Sequence, residues 1–105
     1  MPKPFDIDVT DHGGVLVAHL AGELDLVARD SVTAELAPRV AAAGVDRLVV
    51  DMAEVTFCDS SGLAALLDVR RAAEDAGVDM VLRSVTRQVE RLLDLADVDG
   101  HLTRE

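Results

Sequence analysis

Two short apolar runs, Leu48-Val49-Val50 and Met80-Val81-Leu82, constrain the fold more than any other feature of the chain. Each is continuous and carries β-branched residues, the pattern of a strand buried inside a sheet. Between them Leu63, Leu66 and Leu67 open an apolar stripe at helical spacing that reaches about Ala76 and stops at Gly77. Strand, helix, strand in that order demands a crossover, and the crossover makes the two strands parallel.

The flanking segments extend the same plan. Phe5, Ile7 and Val9 alternate with Asp6, Asp8 and Thr10, the period-two pattern of a half-buried strand. Asp11-His12-Gly13-Gly14 is a turn, since adjacent glycines accept positive φ. Val15 to Ala21 is a second strand, apolar at most positions as in a covered sheet, and Gly22-Glu23-Leu24-Asp25 ends it. From about Leu26 the pattern is helical, with Val32, Leu36 and Val40 stacked in steps of four and a stop at Gly44. Pro38 lies inside this helix and is expected to kink it or weaken one turn. Thr86 can cap a third helix with Val89, Leu92, Leu93 and Ala96 facing inward, and Leu102 belongs to a weak edge strand. The order is β-β-α-β-α-β-α: an α/β chain whose single mixed sheet of four to five strands is opened by a β-hairpin, with crossover helices packed on it. One domain is expected over residues 1–105.

Composition narrows the function. The formal net charge is −10, which disfavours phosphate backbones and anionic membrane surfaces and favours a basic patch on a protein partner. There is no Trp and no Tyr, and Phe5 and Phe57 are the aromatic residues, so base stacking is unsupported. Neither nucleic acid nor membrane is expected as a partner. Cys58 is the sole cysteine, Met1 to Asp6 lacks a signal-peptide pattern, and no apolar run approaches the ~20 residues that span a bilayer. The expectation is a cytoplasmic protein. His12, His19 and His101 show no metal-ligand spacing, and no cofactor or metal is expected.

The chemistry concentrates in Phe57-Cys58-Asp59-Ser60-Ser61-Gly62-Leu63, where strand gives way to helix. A helix start has unpaired N–H groups and a positive dipole end. Asp59 or Ser60 can cap it, with the other side chain serving a second N–H. Alternatively, the serine is a place where phosphate is written. Gly62 costs roughly 1 kcal/mol of helix propensity relative to Ala, which implies that something needs close access to the backbone. If the second strand and the strand at Leu48 are neighbours, Asp25 and Asp59 flank the serines on one rim, at the carboxyl ends of the strands.

Val49-Val50-Asp51-Met52, the Phe57 to Leu63 run and Gly22-Glu23-Leu24-Asp25 together resemble the STAS domain, and more closely the bacterial anti-sigma-factor antagonists. The resemblance extends to Val89-Glu90-Arg91-Leu92-Leu93 and so covers nearly the whole chain. It implies a STAS fold and a partner-switching cycle of the kind that serves stress response or sporulation. The unmodified antagonist binds an anti-sigma factor that is also a serine kinase, and the sigma factor is released. The kinase phosphorylates the serine after the motif aspartate, here Ser60, which switches binding off; a PP2C-like phosphatase resets it. The same resemblance implies that Asp25, Asp59, Ser60, Ser61 and Gly62 contact the partner. The chain departs from the pattern at Asp97, where glycine is common after the third helix.

Three further readings compete with this. A non-signalling STAS adaptor of a transporter or other regulatory complex needs the fold but not the kinase. A serine hydrolase wants a Gly-x-Ser-x-Gly elbow with a histidine behind it, and Asp59-Ser60-Ser61-Gly62 lacks the first glycine. A receiver domain needs a late lysine, whereas Lys3 is the only one. The chain is expected to be a substrate of a kinase and a phosphatase, not an enzyme. Ser61 is a rival phosphosite or a cap, Cys58 a small buried hydrophobe, Asp51 the cap of a turn after the central strand or a residue that shapes the site, and Arg70 and Arg71 a solvated helix face from which one could reach a partner carboxylate.

Overall fold

The computed structural model describes residues 5–97 and 100–105. Met1 to Pro4, part of the segment read for a leader, lies outside the described residues. The elements run β1 (Phe5–His12), β2 (Val15–Leu24), α1 (Leu26–Val40), β3 (Arg47–Cys58), α2 (Ser60–Asp75), β4 (Asp79–Arg83), α3 (Arg87–Ala96) and β5 (Thr103–Arg104). They build one five-stranded sheet in the order β1-β2-β3-β4-β5. The β1–β2 pair is antiparallel, and β2 through β5 are parallel.

The expected hairpin is present, and its turn is tighter than Asp11 to Gly14. His12 pairs with Val15, and Gly13 (φ 64) and Gly14 (φ 94) alone make the turn. Positive φ at both central residues matches the twist of the flanking strands, which a side chain at these positions would oppose.

Parallel neighbours in chain order, joined by crossovers of one hand, put every helix on the same side of the sheet. The core has that shape. Leu16, Ala18, Leu20, Leu48, Val50, Met52, Met80 and Leu82 meet the inward residues of α1, α2 and α3 in one cluster, with Val32, Leu36, Leu66, Val69 and Leu93 fully buried. Val17, Val49 and Val81 form a separate small cluster on the other face, with Val15 beside it. The sheet is therefore covered by helices on one side, which corrects the expectation that apolar residues on both faces of β2 mean a doubly covered strand. On the open face, His19, Asp51 and Arg83 stand in register across β2, β3 and β4. Asp51 bonds His19 (2.9 Å) and Arg83 (3.4 Å), and such polar neighbours shelter the valines.

β2 and β3 are both longer than expected. Gly22 to Leu24 continue β2 instead of ending it, and β3 runs to Cys58 where a loop was expected after Val50. The pairing slips twice, between His19/Ala21 and between Gly22/Glu23, each time placing one extra residue on β3. Such bulges break strand alternation. Met52, Val55 and Cys58 consequently reach the core at intervals of three, a spacing that does not read as a strand. Asp51 caps no turn; its Oδ1 accepts the Ala53 N–H at the first slip.

Pro38 lies within α1 as expected, and the helix continues through it to Val40. Both Pro38 and Ala34, whose carbonyl loses its donor, are exposed, so water can take the vacated bond. Thr86 caps α3, with Val89 and Leu93 buried, Leu92 half-buried and Ala96 exposed, which corrects the inward placement of Ala96. At the chain end the edge strand is Thr103–Arg104, and Leu102 is buried just before it. Asp97, the residue that departs from the family pattern, shapes this turn. Its carboxylate accepts the His101 and Leu102 amides at 3.0 Å each and is itself nearly buried.

Candidate functional site

The carboxyl ends of β2, β3 and β4 all deliver the chain to one rim, where α1, α2 and α3 begin. At the last register pair Leu24 faces Cys58, so Asp25 and Asp59 follow side by side. The Asp59 N–H crosses to the Leu24 carbonyl at 3.3 Å and ties the two loops together. Both aspartates do the same work. Asp25 Oδ1 accepts from Val27 and Ala28 (3.1 and 3.2 Å), and Asp59 Oδ1 accepts from Ser61 and Gly62 (2.9 and 3.0 Å). Each is an N-cap in extended backbone, a role worth about 1 kcal/mol.

Because Asp59 alone satisfies both N–H groups, neither serine is needed as a cap. Ser60 is the first residue of α2 and is exposed; Ser61 is half-buried. Among the described residues neither hydroxyl takes part in a hydrogen bond. Ser60 thus offers an accessible hydroxyl that no structural task holds.

Gly62 has a different explanation from the one its position suggested. A Cβ here would overlap the Leu24 carbonyl oxygen and lie 2.8 and 2.9 Å from Leu24 Cγ and Cys58 Sγ. The close approach is made by the chain's own β2, and Gly62 is buried. Gly62 sets how near α2 stands to Leu24, with Ser60 exposed and Asp25 and Asp59 half-buried beside it. Cys58 is buried as expected, and burial first, then the Asp59 charge, push its thiol up to about 11. A thiol so poised is a packing group, not a nucleophile.

The rim is acidic, with Glu23 exposed beside the two caps. Arg29, in the first turn of α1, reaches across to Asp68 on α2 at 3.5 Å. A phosphate on Ser60 would find the Ser61 and Gly62 amides already engaged by Asp59 and the Leu63 amide bonded to the Asp59 carbonyl (3.0 Å). The helix start would offer it little beyond the dipole, so the added charge would stay at the surface.

Neither His12 nor His19 is positioned to activate Ser60 as a nucleophile. His12 bonds Thr10 (3.1 Å) and His19 bonds Asp51, each on the sheet and away from the rim. Among the described residues no group of three or more His, Cys, Asp or Glu is placed to hold a metal, and no helix is long and apolar enough to cross a membrane.

Three apolar rim residues escaped the sequence reading: Leu26 and Val27 are 66% and 80% exposed at the start of α1, and Phe57 is 43% exposed. Their signal was faint. One helical turn after Leu26 and Val27 come Asp30 and Ser31, off the buried stripe of Ala28, Val32, Leu36 and Val40. Phe57 points outward because of the second slip in β3.

A family model described as the STAS domain matches residues 6–104. An anti-sigma F factor antagonist of Paenibacillus polymyxa is 31% identical over 92 residues, covering 88% of this chain and 79% of that protein. An anti-sigma-F factor antagonist of Mycobacterium tuberculosis is 32% identical over 96 residues, covering 90% and 78%. The crystal structure of an anti-sigma factor antagonist from Mycobacterium paratuberculosis superposes with a TM-score of 0.78 at 25% identity, covering 95% of this chain and 84% of that one.

Proposed function

Because the chain belongs to the STAS domain family, we propose that it is an anti-sigma-factor antagonist switched by phosphorylation of Ser60. The relatives named as antagonists across most of its length support the antagonist role. The observation that carries the switch is the exposed Ser60 hydroxyl at the head of α2, left idle because Asp59 alone provides the cap.

In this cycle the unmodified rim docks on an anti-sigma factor in the cytoplasm and displaces the sigma factor. The contact is built by Ser60, Ser61, Asp25, Asp59 and the exposed Leu26, Val27 and Phe57, with Gly62 holding α2 in place behind them. The anti-sigma factor acts as a serine kinase. The γ-phosphoryl group of ATP held by the kinase passes to Ser60 Oγ as its bond to the β–γ bridging oxygen breaks, the hydroxyl proton leaves to the kinase, and ADP departs. The product carries about −1.5 to −2 extra charge beside two carboxylates. Burying that dianion in an interface loses its hydration without a local donor to replace it. Docking fails while the fold persists, and a PP2C-like phosphatase restores the hydroxyl. The chain is the substrate throughout and contributes no catalytic group; neither nucleic acid nor a membrane takes part.

Incubation with the anti-sigma kinase of the same genome and ATP, followed by peptide mass spectrometry, tests this directly. Phosphate is expected on Ser60, with Ser60→Ala binding the kinase constitutively and Ser60→Asp binding at least tenfold more weakly. An unmodified Ser60, or a Ser60→Asp variant that binds like wild type, would overturn the switch. Retention of the chain by a transporter complex with no kinase activity would favour the adaptor role instead.

A further inference from the structure

The outward face of α3 carries Arg87, Arg91 and Leu95 in steps of four, one stripe along the helix. With Gln88 and Leu92 they line an open groove of about 530 Å³, and Leu95 is 82% exposed. Acidic residues outnumber basic ones two to one in this chain, at 20 Asp and Glu against 10 Lys and Arg. Most arginines are accordingly paired: Arg29, Arg39, Arg47, Arg70, Arg83 and Arg104 each meet a carboxylate. Among the described residues Arg71, Arg87 and Arg91 meet none; Arg87 and Arg91 share one helix face, where Glu90 and Asp94 turn to Arg104 instead.

These charges are locally unfavourable. Like charges one turn apart destabilise a helix by about 0.2–0.5 kcal/mol. Arg87, the first residue of α3, also stands at the positive end of the helix dipole. Glu90 offsets part of this in the same first turn, but its carboxylate is bonded to Arg104, so neither guanidinium of the stripe forms an ion pair within the described fold.

Gln88 shows where the stripe lies relative to Ser60. Its side chain closes a two-bond ring on the Cys58 peptide unit, accepting from Cys58 N (2.9 Å) and donating to Cys58 O (2.8 Å). The first turn of α3 is thereby fastened to β3 just ahead of Asp59, and the groove opens next to the rim.

We infer that the Arg87–Arg91–Leu95 stripe is a second docking surface, and that it receives an acidic segment with an apolar anchor from the same anti-sigma factor that reads Ser60. This rests on the antagonist reading above. Charge decides the occupant: paired unsatisfied guanidinium groups select carboxylates, and exposed Leu95 selects an apolar side chain between or beyond them. The partner thus meets an acidic rim and a basic stripe at once. That alternation fixes its orientation and disfavours surfaces of a single sign.

The test is calorimetric titration of the anti-sigma factor into wild type, Arg87→Glu/Arg91→Glu, Leu95→Ser and Ser60→Asp, each checked by circular dichroism for an unchanged fold. The double reversal is expected to weaken binding by roughly tenfold or more and to flatten its salt dependence, with Leu95→Ser weakening it several-fold. Binding of both variants within twofold of wild type, with Ser60→Asp still weak, would overturn the second surface and leave the switch standing. Weak binding by the double reversal with Ser60→Asp like wild type would support the stripe and sink the switch. If wild type does not bind the anti-sigma factor, both fall. Self-association of wild type that the double reversal abolishes would also overturn the inference, by making a second copy the occupant.

Discussion

Gly62→Ala sets two effects of known size against each other. In an exposed helix this exchange gains about 1 kcal/mol, because alanine loses less backbone freedom on folding. Here the new methyl would overlap the Leu24 carbonyl oxygen and press on Leu24 Cγ and Cys58 Sγ. The carbonyl cannot yield cheaply, since it lies at the end of a paired strand and accepts the Asp59 amide. Overpacking a close-packed site costs about 1–3 kcal/mol, and a backbone obstacle belongs at the upper end. The net expectation is a loss of about 2 kcal/mol, or roughly 10 °C in Tm for a chain of this size. Urea unfolding followed by far-UV circular dichroism measures it. The same shift pushes the head of α2 away from Asp25, so affinity for the anti-sigma factor falls along with stability. A variant as stable as wild type, or more stable, would show that helix propensity wins and that the approach of α2 to Leu24 does not require glycine.

Other substitutions separate structural from functional groups at the rim and beyond. Asp59→Ala removes the acceptor of two amides and is expected to cost about 1 kcal/mol, whereas Ser60→Ala, which removes no bond, stays within about 0.5 kcal/mol; thermal melts distinguish them. Asp97→Ala strands the His101 and Leu102 amides, the latter buried, and is expected to cost about 1–3 kcal/mol with faster amide exchange at the chain end. Burial alone would raise the Asp51 carboxyl above its ordinary 3.8, but the Ala53 amide, His19 and Arg83 outweigh it and hold it lower. A carboxyl lowered on folding contributes stability above its unfolded pKa and loses it as pH falls through the folded one. Wild type should therefore exceed Asp51→Asn in urea titrations at neutral pH, with the gap closing below about pH 4; a constant gap across that range would refute the ion cluster.

The helices were legible because their buried residues follow one period, β1 because half-buried and exposed residues alternate along Phe5 to Val9, and β4 because its apolar run is continuous. β3 was legible only at Leu48 to Val50, where alternation is replaced by a continuous apolar run. Beyond Asp51 the two slips against β2 shift its side chains out of step, so Met52, Val55 and Cys58 carry no strand signal. At the site, Asp59 and Ser60 were visible as a helix start, but the choice of cap was open between them. Leu26, Val27 and Phe57 were invisible as surface, since an apolar residue in a sequence does not announce which way it points.

By itself the chain determined its alternation of strands and helices, the two-glycine hairpin, and the concentration of chemistry at Asp59 and Ser60. Those are local matters, fixed by side-chain periodicity, by left-handed turns that favour glycine, and by the unpaired amides of a helix start. Tertiary structure decided the rest. It set β2 beside β3 so that Asp25 meets Asp59, made Leu24 the reason for Gly62, left one sheet face without helices, and hung α3 on Cys58 through Gln88. Each of these depends on residues distant in sequence meeting at one place, and only the packed sheet brings them there.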